Sequence, residues 1–220
     1  MGALFLYSKF IENNSKMPIA KGTTLIGIKC KDGIILAADM QASSQYYRVE
    51  TQRVKKIFSL RKNIYLGFAG WIASGQTLVD ALRVELALKE TESKKEITVK
   101  SAANLIAGYL FRGIRSFPFF VETLIAGYDN SGLHLYSLDM SGSLIEEDNF
   151  VAAGEGAQIA YGALEALFKE NVTFEKGRKI AIDALKAAHT RNTFTGNYFQ
   201  VVIISREHQS DEVVNISNTG

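Results

Sequence analysis

The chain has 220 residues, 47% of them hydrophobic and 22% charged, and carries a formal net charge of +2 at pH 7. This composition argues against a disordered chain, and so small a net charge argues against nucleic acid or an anionic membrane as a partner. A single cysteine excludes an internal disulfide and fits a reducing, cytoplasmic compartment. The length fits one large domain or two small ones.

The first 22 residues have the character of a leader. The apolar stretch at 1–10 has no basic segment ahead of it and is interrupted by Lys9, which argues against a secretory signal. No apolar run reaches the roughly 18 residues needed to span a bilayer. Residues 11–22 are polar and small, and Met17 is an alternative start that would shorten the leader.

A β-hairpin is predicted next. Apolar residues alternate from Leu25 to Cys30, Asp32-Gly33 supplies a turn, and residues 34–38 return as the second strand. Cys30 is therefore expected to be a core residue. If Lys31 pairs with Ile34 across the turn, Asp39 lies about three residues along from Thr23, roughly 10 Å away.

The remaining elements alternate in blocks. Strands are predicted at 54–60, 64–69, 119–128, 133–138, 150–153, 198–205 and 212–216, with a short piece at 143–149; helices are predicted at 74–89, 98–116, 158–170 and 173–190. A polar loop is expected at 90–96. Because the helices come in adjacent pairs, two antiparallel sheets face to face, each covered by one pair, fit better than a doubly wound parallel sheet.

The segment Gly22-Thr23-Thr24 carries the most informative chemistry. If the chain were cut after Gly22, Thr23 would bear a free α-amine beside its own hydroxyl. The reference pKa of such an amine, about 7.7–8.0, leaves part of it neutral near pH 7. The amine can then take the hydroxyl proton and make threonine a nucleophile.

The run of 18 residues from Gly22 to Asp39 resembles the start of mature catalytic β subunits of the proteasome, archaeal type. That family implies an α+β fold, a four-layer αββα sandwich of the N-terminal nucleophile hydrolase type. It also implies a propeptide at 1–22, released by cleavage between Gly22 and Thr23, and a protease domain at 23–220. The resemblance extends from about Lys21 to Ser205.

The distance expected between Thr23 and Asp39 calls for a long cationic side chain to bridge them. Lys55 and Lys56 are both available, and since alternate strand residues face opposite ways, only one can enter the site. Counting along the strand favours Lys55. The family's Lys-Lys-aliphatic-aromatic run favours Lys56, and Lys56 is therefore predicted to be the lysine of the site.

Other site residues are implied by the same resemblance. Gly70 matches the residue whose N–H stabilises the oxyanion, and Ser43 matches the residue whose backbone pairs with extended substrate. The positions that line the pocket for the residue before the scissile bond are Ala42, Val54, Phe68 and Ile72. All four are uncharged, which predicts cleavage after apolar residues, and bulky Phe68 predicts a shallow pocket.

Three supporting positions depart from the family pattern. Glu155 and Thr195 each stand where the family has serine, and Asn192 stands where it has aspartate. Thr195 keeps a hydroxyl, whereas Asn192 loses a charge. Glu155 either raises the pKa of the α-amine or substitutes for the missing aspartate, and the sequence does not choose between these.

Scattered histidines with one distant cysteine give no metal-binding spacing, and the anionic Glu155 between two glycines argues against phosphate binding, so neither a metal nor a cofactor is expected. The resemblance implies a threonine endopeptidase in stacked rings with α subunits and other β subunits, a ring ATPase or other activator, and unfolded polypeptides as substrates. Two alternatives remain: a non-catalytic structural β subunit of a mixed ring, and an N-terminal nucleophile hydrolase acting on small amides.

Overall fold

The computed structural model describes residues 22–43, 49–115 and 118–216. The predicted propeptide therefore lies outside the described residues except for Gly22. The strands are β1 (Thr24–Lys29), β2 (Ile34–Asp39), β3 (Ala42–Ser43), β4 (Val49–Thr51), β5 (Ile57–Arg61), β6 (Ile64–Gly70), β7 (Val121–Asp129), β8 (Gly132–Leu138), β9 (Leu144–Glu146), β10 (Phe150–Gly154), β11 (Tyr198–Ile204) and β12 (Gln209–Asn215). The helices are α1 (Ile72–Ser93), α2 (Val99–Gly113), α3 (Ala157–Leu167) and α4 (Phe174–Arg191).

The strands form two antiparallel five-stranded sheets. The first sheet has the order β10-β1-β2-β11-β12 and the second the order β5-β6-β7-β8-β9, while β3 and β4 form a separate pair. Neither β3 nor β4 was predicted, because two or three residues are too few to show a strand pattern.

Three apolar cores separate four layers. One core joins the first sheet to α3 and α4, and another joins the second sheet to α1 and α2. A third lies between the sheets and contains Leu25, Leu36, Leu124 and Leu135. Strands in the middle of such a stack are buried on both faces, which explains why β2 is an uninterrupted buried run. The predicted αββα sandwich is confirmed.

The register of the first hairpin differs from the prediction. Lys29, not Lys31, pairs with Ile34, so Ala37 lies opposite Ile26 and Ala38 opposite Leu25. The turn keeps two residues at its tip but lies one residue earlier than predicted: the Cys30 N–H donates to the Gly33 carbonyl at 2.8 Å, and the Lys31 N–H donates to the Val172 carbonyl at 3.0 Å. This shift brings Asp39 to the level of Thr24 and removes the predicted 10 Å gap.

The first helix is longer than the sequence indicated. The polar segment predicted as a loop at 90–96 is helical through Ser93, and the helix ends at Lys94 in the left-handed region (φ 53°). Glu90 accounts for the extension, because its carboxylate pairs with the Arg61 guanidinium of β5 at 2.9 Å. Among the described residues, no helix is long and apolar enough to cross a membrane.

Cys30 lies in the core, as predicted, and is 4% exposed. Burial, with the charges of Asp32 and Glu175, raises the pKa of its thiol to about 12. Because the thiolate is the reactive form, we expect native protein at pH 8 to resist iodoacetamide and urea-unfolded protein to react at once. Intact mass after timed quenching measures this, and rapid alkylation of the native chain would contradict the burial.

Candidate active site

Asp39 is the centre of a buried hydrogen-bond network at the end of β2. Its carboxylate is 0% exposed and accepts backbone N–H groups from Thr24 at 2.8 Å, Gln41 at 2.9 Å and Gly196 at 3.2 Å. It also accepts the Lys56 ammonium, which lies 3.2 Å from both oxygens. A carboxylate with this many donors is held in one orientation.

Of the two adjacent lysines, the structure places Lys56 in the site. The Lys56 side chain is 1% exposed, whereas Lys55 is 53% exposed and pairs with Asp211 at 2.7 Å on the outside. Burial lowers the pKa of Lys56, and the charge and hydrogen bond of Asp39 oppose that effect. The site thus holds a cation whose only charged partner among the described residues is Asp39.

Thr23 lies one residue before the Thr24 N–H that Asp39 holds. It is 2% exposed, and its hydroxyl forms no hydrogen bond to a described residue. Its φ is +137°, a conformation that a β-branched residue rarely adopts and that stores strain in the Gly22–Thr23 link. The Thr23 carbonyl lies so close to Gly154 that a Cβ there would approach it to 2.2 Å.

Thr24 and Thr195 form a second polar contact beside the nucleophile candidate. Their hydroxyls are 2.8 Å apart, and both residues are at most 2% exposed. Gly156 borders this pair, since a Cβ at that position would lie 2.0 Å from the Thr24 hydroxyl. The Thr195 carbonyl in turn bonds the His189 ring at 2.7 Å.

A cleft of about 450 Å³ opens at Gly22 and is bordered by Gly70, Gly154 and Glu155. Gly70 ends β6 with φ +127°, and a Cβ there would lie 2.2 Å from the Phe120 carbonyl, so this turn into α1 requires glycine. Glu155 is exposed at the cleft. The site therefore combines a threonine at a strained link, a buried cation and a glycine turn in one place.

A family model described as "Proteasome subunit" matches residues 19–204. This chain belongs to the proteasome subunit family. It is similar to "Proteasome subunit beta 2" of Nitrosopumilus maritimus, with 38% identity over 90% of this chain and 92% of the relative. It is also 41% identical to "Proteasome subunit beta 1" of Thermococcus onnurineus over 85% of this chain and 90% of the relative.

A third relative, "Proteasome subunit beta" of Methanobrevibacter smithii, is 37% identical over 86% of this chain and 90% of its own length. These relatives and the family model make the chain a proteasome core β subunit. Its four layers are the arrangement of the N-terminal nucleophile hydrolases.

The three residues at which the sequence was expected to depart from the family pattern make separate contacts in this β subunit. The Asn192 side chain accepts the Phe194 N–H at 2.8 Å, so it shapes the turn after α4. Glu155 is exposed and borders the cleft. Thr195 retains a hydroxyl contact with Thr24.

The predicted substrate-side residues come from four separate elements. Ala42 is 8% exposed in β3, Phe68 is 1% exposed in β6, and Val54 and Ile72 are partly buried at the approach to β5 and at the start of α1. The Phe68 ring packs on Gly75 of α1. Ser43 pairs with Val49 of β4, and the other edge of β3 has no strand partner among the described residues.

Several residues of the site were missed by sequence reasoning. The side chain of Gln41 donates to the Ser43 hydroxyl and the Thr193 carbonyl, both at 3.0 Å, and Glu122 accepts the Gly154 N–H at 2.8 Å. Gln200 contacts the backbone of Lys56. Of these, Gln200 alone had a usable signal, because it interrupts the apolar run of β11.

Proposed function

We propose that this chain is a threonine endopeptidase subunit of a 20S proteasome core, with Thr23 as its nucleophile. The observation that carries the proposal is the buried Lys56–Asp39 pair, tied at 2.8 Å to the backbone N–H of the residue after Thr23. A fixed ammonium in a dry site favours the ionised form of a nearby hydroxyl. Asp39 keeps that ammonium charged and oriented.

In maturation, the Thr23 hydroxyl attacks the Gly22 carbonyl carbon. The C–N bond to Thr23 breaks, the Thr23 nitrogen takes the hydroxyl proton, and an ester forms in its place. Water then cleaves the ester and releases residues 1–22 with a terminal carboxylate. The φ of +137° at Thr23 supports this step, because such strain costs of order 1–3 kcal/mol and is lost when the link is cut.

In turnover, the freed α-amine of Thr23 takes the proton of its own hydroxyl, directly or through a water, as the oxygen attacks a substrate carbonyl. The Gly70 N–H stabilises the developing oxyanion. As the peptide C–N bond breaks, the ammonium returns its proton to the leaving amine. An acyl ester remains on Thr23, and water hydrolyses it.

Substrate is expected to bind as an extended strand. The edge of β3 that has no strand partner within the described part of the chain can accept its backbone at Ser43, in the mode called β-augmentation. The uncharged positions Ala42, Val54, Phe68 and Ile72 favour cleavage after apolar residues. The bulk of Phe68, anchored on α1, keeps that pocket shallow.

Membership of the proteasome subunit family supports assembly of this chain with other proteasome subunits. We propose stacked rings with α subunits and other β subunits in the cytoplasm, an ATPase ring or other activator, and unfolded polypeptides as substrates. Confinement in such rings suits a β subunit whose propeptide masks the nucleophile until assembly.

Intact mass of the chain, purified with its copurifying subunits, tests the proposal. We expect wild-type chain to begin at Thr23 and contain 220 − 22 = 198 residues. Thr23→Ala should retain residues 1–22 and lose peptidase activity, whereas Thr24→Val, a matched loss of the neighbouring hydroxyl, should still be cut after Gly22. An electrophilic threonine inhibitor should add its mass to Thr23 in the mature chain.

Two outcomes would overturn the proposal. A wild-type chain that keeps its propeptide inside an assembled particle would be a structural β subunit. A small oligomer in sedimentation, active on small amides, would be an N-terminal nucleophile hydrolase outside any particle.

A further inference from the structure

The backbone of Lys56 lies where the two sheets meet. Its carbonyl accepts the Phe68 N–H of β6 at 3.0 Å. Its N–H is not bonded to a strand of the second sheet, and β5, which begins at the next residue, is an edge strand of that sheet. Buried backbone N–H groups at an edge need a partner from elsewhere.

Gln200 of β11 supplies that partner. It belongs to the first sheet, is 0% exposed, and reaches across to the second. Its amide oxygen accepts the N–H groups of Lys56 and Ile57, both at 3.0 Å, and its amide nitrogen donates to the Ile57 carbonyl at 2.9 Å. One side chain thus stands in for a missing strand along two residues.

Asp211 of β12 holds the amide in this orientation. Its Oδ1 accepts the Gln200 nitrogen at 3.0 Å, and its Oδ2 accepts the Lys55 ammonium at 2.7 Å. Since a carboxylate only accepts, the Gln200 nitrogen must face Asp211 and its oxygen must face the two backbone N–H groups. All four hydrogen-bonding positions of the glutamine are then used.

We propose that Gln200 is a positioning residue for Lys56 and that Asp211 sets its orientation. The proposal rests on the role given above to Lys56 as the cation beside Thr23. Because Gln200 fixes the backbone at Lys56 and Ile57, the Lys56 side chain points inward to Asp39. The Lys55 side chain, on the opposite face, points outward to Asp211. Among the described residues, no other amide-bearing or charged side chain forms a hydrogen bond with the Lys56 N–H, the Ile57 N–H or the Ile57 carbonyl.

The test compares Gln200→Leu with Val202→Ala, a control two residues along β11. Val202 is 1% exposed and lies in the core between the sheets, so its truncation destabilises the same strand without touching Lys56. We expect Gln200→Leu to lower kcat for acylation by about 100-fold with KM unchanged, because small misplacement of a catalytic group has effects of that size. Val202→Ala should lower the melting temperature with kcat unchanged.

Asp211 variants keep the proposal testable if Gln200→Leu does not fold. Asp211→Asn retains an oxygen for the Gln200 amide and should preserve kcat, whereas Asp211→Leu should lower it. Hydrogen exchange, followed by mass spectrometry on a peptide spanning 54–60, provides a readout independent of catalysis. The amides of Lys56 and Ile57 should lose protection in Gln200→Leu and in Asp211→Leu, but not in Val202→Ala.

The outcomes separate this inference from the proposed function. Wild-type kcat and protection in Gln200→Leu, or equal losses in Asp211→Asn and Asp211→Leu, would overturn the role of Gln200. A wild-type chain that forms no acyl-enzyme would overturn the proposed function, and the exchange data would then decide by themselves whether Gln200 holds the Lys56 backbone.

Discussion

Replacing Lys56 with methionine is expected to abolish both propeptide removal and peptidase activity. Methionine is similar in length and suits a site that is 1% exposed, but it leaves the Asp39 carboxylate buried without its cation. Breaking a buried pair in this way costs about 3–5 kcal/mol of unfolding free energy. Urea unfolding and intact mass measure the two effects.

The adjacent lysine provides a matched control. Lys55→Met removes the same charge from the next residue, but its pair with Asp211 is largely exposed, and such pairs contribute about 1 kcal/mol or less. We expect this variant to mature and to cleave peptides normally. If Lys55→Met were inactive and Lys56→Met active, the proposed mechanism would be wrong.

Asp39→Ala is expected to be the most destabilising single substitution at the site. It leaves a buried ammonium unpaired and orphans the N–H groups of Thr24, Gln41 and Gly196. The charge costs about 3–5 kcal/mol, and each buried orphan donor adds about 1–3 kcal/mol. This total is comparable with the whole stability of a domain, so we expect little folded protein at neutral pH.

The pH dependence of this variant has a definite sign. Burial lowers the pKa of Lys56 below its ordinary 10.5, and without Asp39 nothing in the network opposes that shift. Below pH 10.5 the unfolded chain then binds more protons than the folded one, so the free energy of unfolding rises with pH, by at most about 1.4 kcal/mol per unit. The folded fraction of Asp39→Ala, followed by circular dichroism at several pH values between 7 and 10, measures this dependence and should rise with pH.

Asp39→Asn is the control for both effects. It keeps one acceptor oxygen and should lie between wild type and Asp39→Ala in stability. An Asp39→Ala chain as stable as wild type, or one that loses stability as the pH rises, would contradict the buried pair.

Most of the fold could be predicted because it follows from local patterns. Apolar alternation and helical spacing placed the helices and most of the strands, and the pairing of helices along the chain indicated two covered antiparallel sheets. The errors occurred where a distant partner decides the outcome. Glu90 is helical because Arg61 of β5 binds it, and the tip of the first turn lies at Lys31 and Asp32, where the Val172 carbonyl accepts the Lys31 N–H.

The residues of the site also fall into a group that the sequence could predict and a group that it could not. Thr23, Asp39 and Gly70 could be predicted as site residues, because their residue types and their order along the chain match a known family. The choice between Lys55 and Lys56 depended on which of the two side chains is buried beside Asp39 of the first sheet. Gln200, Gly196 and Thr195 follow Thr23 by more than 170 residues, and no spacing rule connects them to it.

By itself, then, the amino-acid sequence determined the layers, the family and the threonine on which the proposed chemistry rests, since these depend on residue type and near-neighbour periodicity. The tertiary structure alone decided the hairpin register and the hydrogen bonds of Gln200 to the Lys56 backbone, and it resolved the conflict between Lys55 and Lys56 by burying Lys56. The physical reason is burial: in a dry space between two sheets, each charge and each backbone N–H must find a partner, and those partners come from remote parts of the chain.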